Sequence, residues 1–123
     1  MKTNKKIRNN ANELYNVCIR KEKLITIKSN CFITEGLNEI IENEHCLNII
    51  ELIFNQYDFI KCEIQYWYII REKNNFFTIE CKDSNGKVLN TISNVIIDFY
   101  FDYLHLLLKN KILYLPVEEE FYF

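Results

Sequence analysis

Apolar and polar positions alternate with period two from Lys61 to Lys73, the clearest regular signal in the chain. Cys62, Ile64, Tyr66, Tyr68 and Ile70 fall on one side and Glu63, Gln65, Trp67, Ile69 and Arg71 on the other, which is the repeat of a pleated strand. The alternation resumes over Phe76 to Lys82. Between the two runs, Asn74-Asn75 can supply the positive φ angles of a tight hairpin. Asp83-Ser84-Asn85-Gly86 is a second turn signal, leading into a strand from Lys87 to Ile92. These segments predict a three-stranded antiparallel meander.

Upstream, Leu24 to Ile33 is rich in β-branched residues and reads as one strand with a kink at Ser29-Asn30. Thr34 stands where a helix N-cap belongs, and Glu35 follows in the first turn against the positive end of the dipole. Leu37, Ile40 and Ile41 then fall on one helical face and Glu35, Glu39 and Glu42 on the other, until Asn43-Glu44-His45 interrupts. A second helix from Cys46 to Gln56 buries Leu47, Ile50, Ile53 and Phe54 and shows Asn48 and Glu51 to water.

Downstream, an irregular stretch from Asn94 to Asp102 precedes Leu104–Leu108 and Ile112–Leu115, which flank Lys109-Asn110-Lys111. A last hairpin closed at Asn110 is the favoured reading, with a helix over 102–108 as the alternative, because periodicity does not settle short apolar runs. Pro116 ends the hairpin. Residues 1–18 carry scattered apolar positions at Ile7, Leu14, Tyr15 and Cys18 and fit one weak amphipathic helix after a loose start.

The expected fold is therefore α+β: an antiparallel sheet of about five strands, two short helices packed on one face and a weak N-terminal helix. One domain is expected over 1–123, with a basic arm or helix at 1–20, a folded core at 24–118 and an acidic, aromatic tail at 119–123.

Composition sharpens this picture. Apolar residues make up 49% and aromatics 15% of 123 residues, enough apolar area to offset chain entropy and exclude intrinsic disorder. Two Gly, one Pro, a single alanine at Ala11 and heavy use of Asn, Ile and Lys suggest A/T-rich coding. Five cysteines, Cys18, Cys31, Cys46, Cys62 and Cys81, are widely spaced and odd in number, so no disulfide framework is implied and a reducing cytoplasm is the expected compartment. Met-Lys-Thr-Asn-Lys-Lys opens the chain with no apolar run behind it, so neither a secretory signal nor a membrane anchor is expected. Runs such as Ile49–Phe54 fall well short of the roughly 20 residues that span a bilayer.

Charge is uneven. Residues 1–28 hold eight Lys and Arg against two acids, a balance of +6. The remainder holds seven bases and 15 acids, −8, which returns the total of −2. A basic arm on an acidic body bears on partners, although a charged terminus is often simply solvated. The candidate contact residues are the acids Glu35, Glu39, Glu42, Glu118, Glu119 and Glu120 and the basic Lys5, Lys6 and Arg8.

Catalytic patterns are sparse. Glu80-Cys81-Lys82, preceded by Asp58 or Glu63, has the residues with which a metal-dependent nuclease holds Mg²⁺ and activates water, but alternating charges on the outer face of a strand produce Glu-x-Lys equally well. His45-Cys46, His105 and the other cysteines lack Cys-x2-Cys or His-x3-His spacing, and core thiols account for them better than zinc. A Cys/His or Ser/His/Asp centre would need His45 or His105 beside a nucleophile, for which the sequence gives no support. Gly36 and Gly86 alone build neither a phosphate loop nor a dinucleotide fingerprint. No catalytic, cofactor or metal residue is assigned. Tyr66-Trp67-Tyr68 and Phe121-Tyr122-Phe123 could anchor an interface or stack on bases, yet half of the first set must face the core in any strand, and an acidic body repels phosphate.

From Thr34 onward the order of signals resembles a family of small bacterial and phage proteins defined only as a domain of unknown function. The resembling segments are Ile33-Thr34-Glu35-Gly36-Leu37, Asp83-Ser84-Asn85-Gly86, Ile97-Asp98-Phe99, and Leu104-His105-Leu106-Leu107-Leu108 through Ile112-Leu113-Tyr114-Leu115-Pro116. They cover about two-thirds of the chain, over 34–118. Asn110-Lys111 departs from the family, where an Asp-Gly turn is common, and the basic arm has no firm counterpart. The resemblance implies an α+β fold and no established activity. In style the chain is also similar to anti-CRISPR inhibitors, whose acidic surfaces occupy basic nucleic-acid channels of an effector. The expected function is a non-enzymatic phage or mobile-element protein that binds and inhibits a host defence nucleoprotein such as a Cas effector with its guide RNA. A small accessory protein-binding domain is the alternative, and a nuclease using Glu80 and Lys82 a distant one.

Overall fold

A computed structural model describes residues 9–15, 24–28, 30–57, 60 and 62–119. It is α+β, as expected, but the sheet has seven strands and is mixed. In chain order the elements are α1 (Ala11–Leu14), β1 (Leu24–Lys28), β2 (Cys31–Thr34), α2 (Glu35–Glu44), α3 (Leu47–Tyr57), β3 (Ile64–Lys73), β4 (Phe76–Lys82), β5 (Val88–Ile96), β6 (Tyr103–Lys109) and β7 (Ile112–Tyr114), then a 3-10 turn over Pro116–Glu118. Across the sheet the order is β1-β2-β7-β6-β3-β4-β5. All pairings are antiparallel except β2 with β7, which is parallel.

Two differences from the sequence reading stand out, and the first of them adds a strand. In place of the expected kink at Ser29-Asn30 the chain reverses between Lys28 and Cys31: Asn30 takes φ 62°, a left-handed conformation that Asn tolerates, and β1 folds back on β2 with Leu24 opposite Thr34. The second concerns β5, which runs past its expected end at Ile92 to Ile96 because Asn94, at φ 58°, absorbs a bulge opposite β4. Residues 102–108 resolve in favour of the strand, since β6 pairs with β3 along its whole length and with β7 at its end.

The helix boundaries follow from local chemistry. The Thr34 hydroxyl accepts from the Leu37 N–H at 3.2 Å, capping α2, and His45 closes that helix in a left-handed conformation with φ 54°. The core lies between the two helices and one face of the sheet, with Leu37, Ile40, Ile49, Ile50, Ile53 and Phe54 against Trp67, Ile69, Phe77, Ile79, Leu104 and Leu106. Gln65 shares that buried face and satisfies the Trp67 indole, which donates to its Oε1 at 2.9 Å.

Arg71 orders the connection between β5 and β6. Its Nε donates to Asp102 Oδ1 at 2.7 Å, and its remaining nitrogens reach the carbonyls of Asn74, Phe99, Tyr100 and Phe101. The guanidinium also lies 4.6 Å from the centre of the Phe77 ring. Phe99 and Phe101, whose carbonyls it holds, are themselves core residues.

The β6–β7 turn places both Asn110 and Lys111 at positive φ, 54° and 66°, the signature of a type I′ hairpin. Lysine carries a steric cost there that glycine does not. Lys111→Gly is expected to stabilise the fold by about 0.5–1 kcal/mol, read as a higher urea midpoint; an unchanged or lower midpoint would contradict the turn assignment.

Candidate functional site

Strand alternation leaves the face opposite the helices with its own composition. Tyr66 and Tyr68 of β3 stand there beside Leu107 and His105 of β6, their cross-strand partners, while Glu80 and Lys82 of β4 lie on the other flank. His105 stacks on Tyr68 with ring centres 4.3 Å apart and planes 7° from parallel, and faces Tyr66 at 6.3 Å and 13°. Tyr103 continues the row, its ring 6.4 Å from Tyr68. The result is a strip of four rings, each half-buried.

Three contacts fix His105. Its Nδ1 lies 2.9 Å from the Trp67 carbonyl, and since a carbonyl only accepts, Nδ1 carries the proton and Nε2 is the acceptor. Asn12 of α1 grips the His105 backbone: its Nδ2 donates to the His105 carbonyl at 2.9 Å and its Oδ1 accepts the His105 N–H. That grip is available because β7 pairs only with Leu107–Lys109, leaving the first half of β6, among the described residues, with only the isolated Asn10–Tyr103 bridge on that side. Burial lowers the His105 pKa, partly opposed by the Trp67 carbonyl, so the ring is neutral at pH 7. Burial, then the neighbouring Tyr68, raises that of Tyr103. The strip is thus an uncharged aromatic surface.

Lys82 borders it, with Nζ 5.2 Å from the Tyr68 ring centre and 3.5 Å from Glu80 Oε1. The carboxylate considered for Mg²⁺ therefore lies against a lysine; of its suggested companions, Glu63 is exposed ahead of β3, and Asp58 lies outside the described residues. Among the described residues no three His, Cys, Asp or Glu side chains are grouped to hold a metal ion. Cys46 and Cys81 are buried thiols whose pKa is pushed up to about 12, chiefly by burial. Neither behaves as a nucleophile at neutral pH.

The expected contact acids divide. Glu39 and Glu42 are exposed on the outer face of α2, and Glu35 is half-buried in its first turn. Glu118 belongs to the interior: it is fully buried, and its Oε1 accepts from the Thr34 hydroxyl at 2.7 Å and the Leu115 N–H at 2.8 Å. It ties the C-terminal turn to the α2 cap and leaves the contact surface. Glu119 accepts from the Tyr114 hydroxyl at 2.7 Å. Glu120, Lys5, Lys6, Arg8 and the 121–123 aromatics lie outside the described residues, as does most of the 1–20 arm; its described part, 9–15, packs along β6.

Sequence reasoning put Tyr66 and Tyr68 on one side of a strand but did not find the ring strip, because His105 and Tyr103 join it through the β3–β6 pairing, which links positions 33 or more residues apart. The signal was the shared period of two in both segments. No helix among the described residues is long and apolar enough to cross a membrane. Comparison with curated proteins found no match, and comparison with solved structures found none either. A family model does match, over residues 9–119, reaching upstream of the resembling segments to include the Asn12 grip. The chain belongs to DUF6876, a family of unknown function.

Proposed function

We propose that this chain is a non-enzymatic binding protein of the cell interior and that the sheet face opposite α2 and α3 is the contact surface for a protein partner. The observation that supports this is the strip Tyr66, His105, Tyr68 and Tyr103, four half-buried rings in contact with one another, with His105 anchored to the Trp67 carbonyl and to Asn12. Tyrosines preorganised in this way give large contact area at little entropic cost and are enriched where interfaces concentrate their energy. The same rings could stack on bases, but residues 29–123 carry −8, and this disfavours phosphate.

A second reading narrows the partner to a host defence nucleoprotein, with the chain as an inhibitor of an RNA-guided nuclease. The exposed carboxylates of Glu39 and Glu42 on α2 support it, since such a stripe complements a basic nucleic-acid channel.

One experiment separates the readings. The tagged wild type, Tyr68→Thr/Tyr103→Thr and Glu39→Lys/Glu42→Lys are each used for affinity capture from host extract, with circular dichroism to verify folding. Loss of a captured protein by at least about 10-fold in the tyrosine variant supports the open-face reading. Recovery of a nuclease with its guide RNA, lost in the lysine variant, supports the inhibitor reading. Capture that neither pair of substitutions alters removes both.

A further inference from the structure

The outer edge of β5 offers a different kind of surface. Val88–Ile96 forms an edge of the sheet, pairing among the described residues only with β4. Over nine residues it reads Val-Leu-Asn-Thr-Ile-Ser-Asn-Val-Ile and contains no charged side chain. Edge strands ordinarily carry lysine, proline or inward charges that prevent pairing with another chain, and none of these is present here.

The segment is also self-complementary about its centre. Reversed around Ile92, Thr91 meets Ser93, Asn90 meets Asn94, Leu89 meets Val95 and Val88 meets Ile96. Each half holds one irregularity against β4, at Leu89 and at the Ser93-Asn94 bulge. In a two-fold pairing one half of β5 lies against the other half of its copy, so the two irregularities fall against each other and Val88 arrives opposite Ile96. Those two residues are 47% and 69% exposed, high for apolar side chains placed at both ends of one unpaired edge. Phe76, Ile96's cross-strand partner, is also exposed.

We infer that β5 is a self-association edge, on which a second copy of this chain pairs antiparallel about a two-fold axis through Ile92. A two-fold contact of this kind is isologous and closes at the dimer, pairing the N–H and C=O groups that each edge turns away from β4. Val88 of each copy then packs on Ile96 of the other. With the axis perpendicular to the sheet, both ring strips lie on the same side of one continuous sheet. The inference stands on the edge alone and does not require the proposed function.

Light scattering on a size-exclusion column tests it. The wild type at a concentration on the order of 50 µM, in the range of a modest dimer affinity, is expected to elute with twice the 14.9 kDa chain mass. Thr91→Lys/Ser93→Lys opposes like charges across the axis and is expected to weaken association by at least about 100-fold, giving monomer. Thr91→Lys/Ser93→Glu instead sets a lysine against a glutamate of the other copy at both crossings. It is expected to restore the dimer, so misfolding of the first variant cannot be mistaken for support. A monomeric wild type overturns the inference. So does a dimer indifferent to the two lysines, or a lysine/glutamate variant that stays monomeric.

Discussion

Replacing Arg71 with lysine is expected to destabilise the fold by about 2–4 kcal/mol, on the order of 10 °C in melting temperature for a chain of this size. An exposed ion pair would be worth well under about 1 kcal/mol, but Arg71 is used for its geometry. Its side chain is 21% exposed, and its planar fork reaches Asp102 and the carbonyls of Asn74, Phe99, Tyr100 and Phe101 together. A lysine ammonium has three donors on one atom and cannot reach both sides of the connection. Carbonyls left without a donor would loosen Phe99 and Phe101, whose rings are core. Asp102→Asn keeps an acceptor for Nε and is expected to cost only about 1 kcal/mol. Urea denaturation of both variants checks the contrast; equal losses would show that charge, and not the fork, holds the connection.

A second large effect is expected where Gly36 meets Glu118. A Cβ built on Gly36 would lie 2.5 Å from Glu118 Oε2. That carboxylate cannot swing aside without giving up the Thr34 hydroxyl and the Leu115 N–H. Gly36→Ala, which elsewhere in a helix gains up to about 1 kcal/mol, is expected here to lose about 1–3 kcal/mol. Glu118→Ala alone is expected to lose about 2–4 kcal/mol through two orphaned donors. In the double variant the alanine at 36 becomes neutral or favourable, a coupling of about 2 kcal/mol in a double-mutant cycle. Additive losses would refute the contact.

The same carboxylate sets a pH dependence. Burial raises the Glu118 pKa above its ordinary value of 4.5, more than the Leu115 and Thr34 hydrogen bonds lower it. Its Oε2 is buried without a hydrogen-bond partner, so ionisation there is costly. An acid with a raised folded pKa contributes most at low pH, where both states are protonated. The unfolded chain ionises first as pH climbs past the ordinary value of 4.5, and this contribution is lost up to the folded pKa. Glu118→Gln removes the titration, so its stability relative to wild type is expected to improve as pH rises from about 4.5 to about 7.5. A constant difference across that range would assign Glu118 an ordinary pKa.

Much of this architecture was written in local chemistry. Thr34 before Glu35 marks a helix start wherever it occurs, because a hydroxyl can cap only a nearby N–H. The period of two from Ile64 to Lys82 and the Asp83–Gly86 turn define a hairpin and its continuation for the same short-range reason. Local chemistry also let the reversal between Lys28 and Cys31 pass as a kink, since an asparagine such as Asn30 that tolerates positive φ is compatible with either.

Local patterns along the chain were enough to set the type of most elements, the placement of Trp67 on the strand face opposite Tyr66 and Tyr68, and the scarcity of catalytic patterns. The tertiary structure alone decided which strands became neighbours, and with that the character of nearly every polar side chain. Glu118 and Glu119 are adjacent acids by sequence. One is sealed against a helix cap 84 positions away, and the other holds a tyrosine hydroxyl. Burial and hydrogen bonding depend on groups distant in the chain, so neighbouring carboxylates that look alike in sequence acquire different chemistry only when the sheet closes.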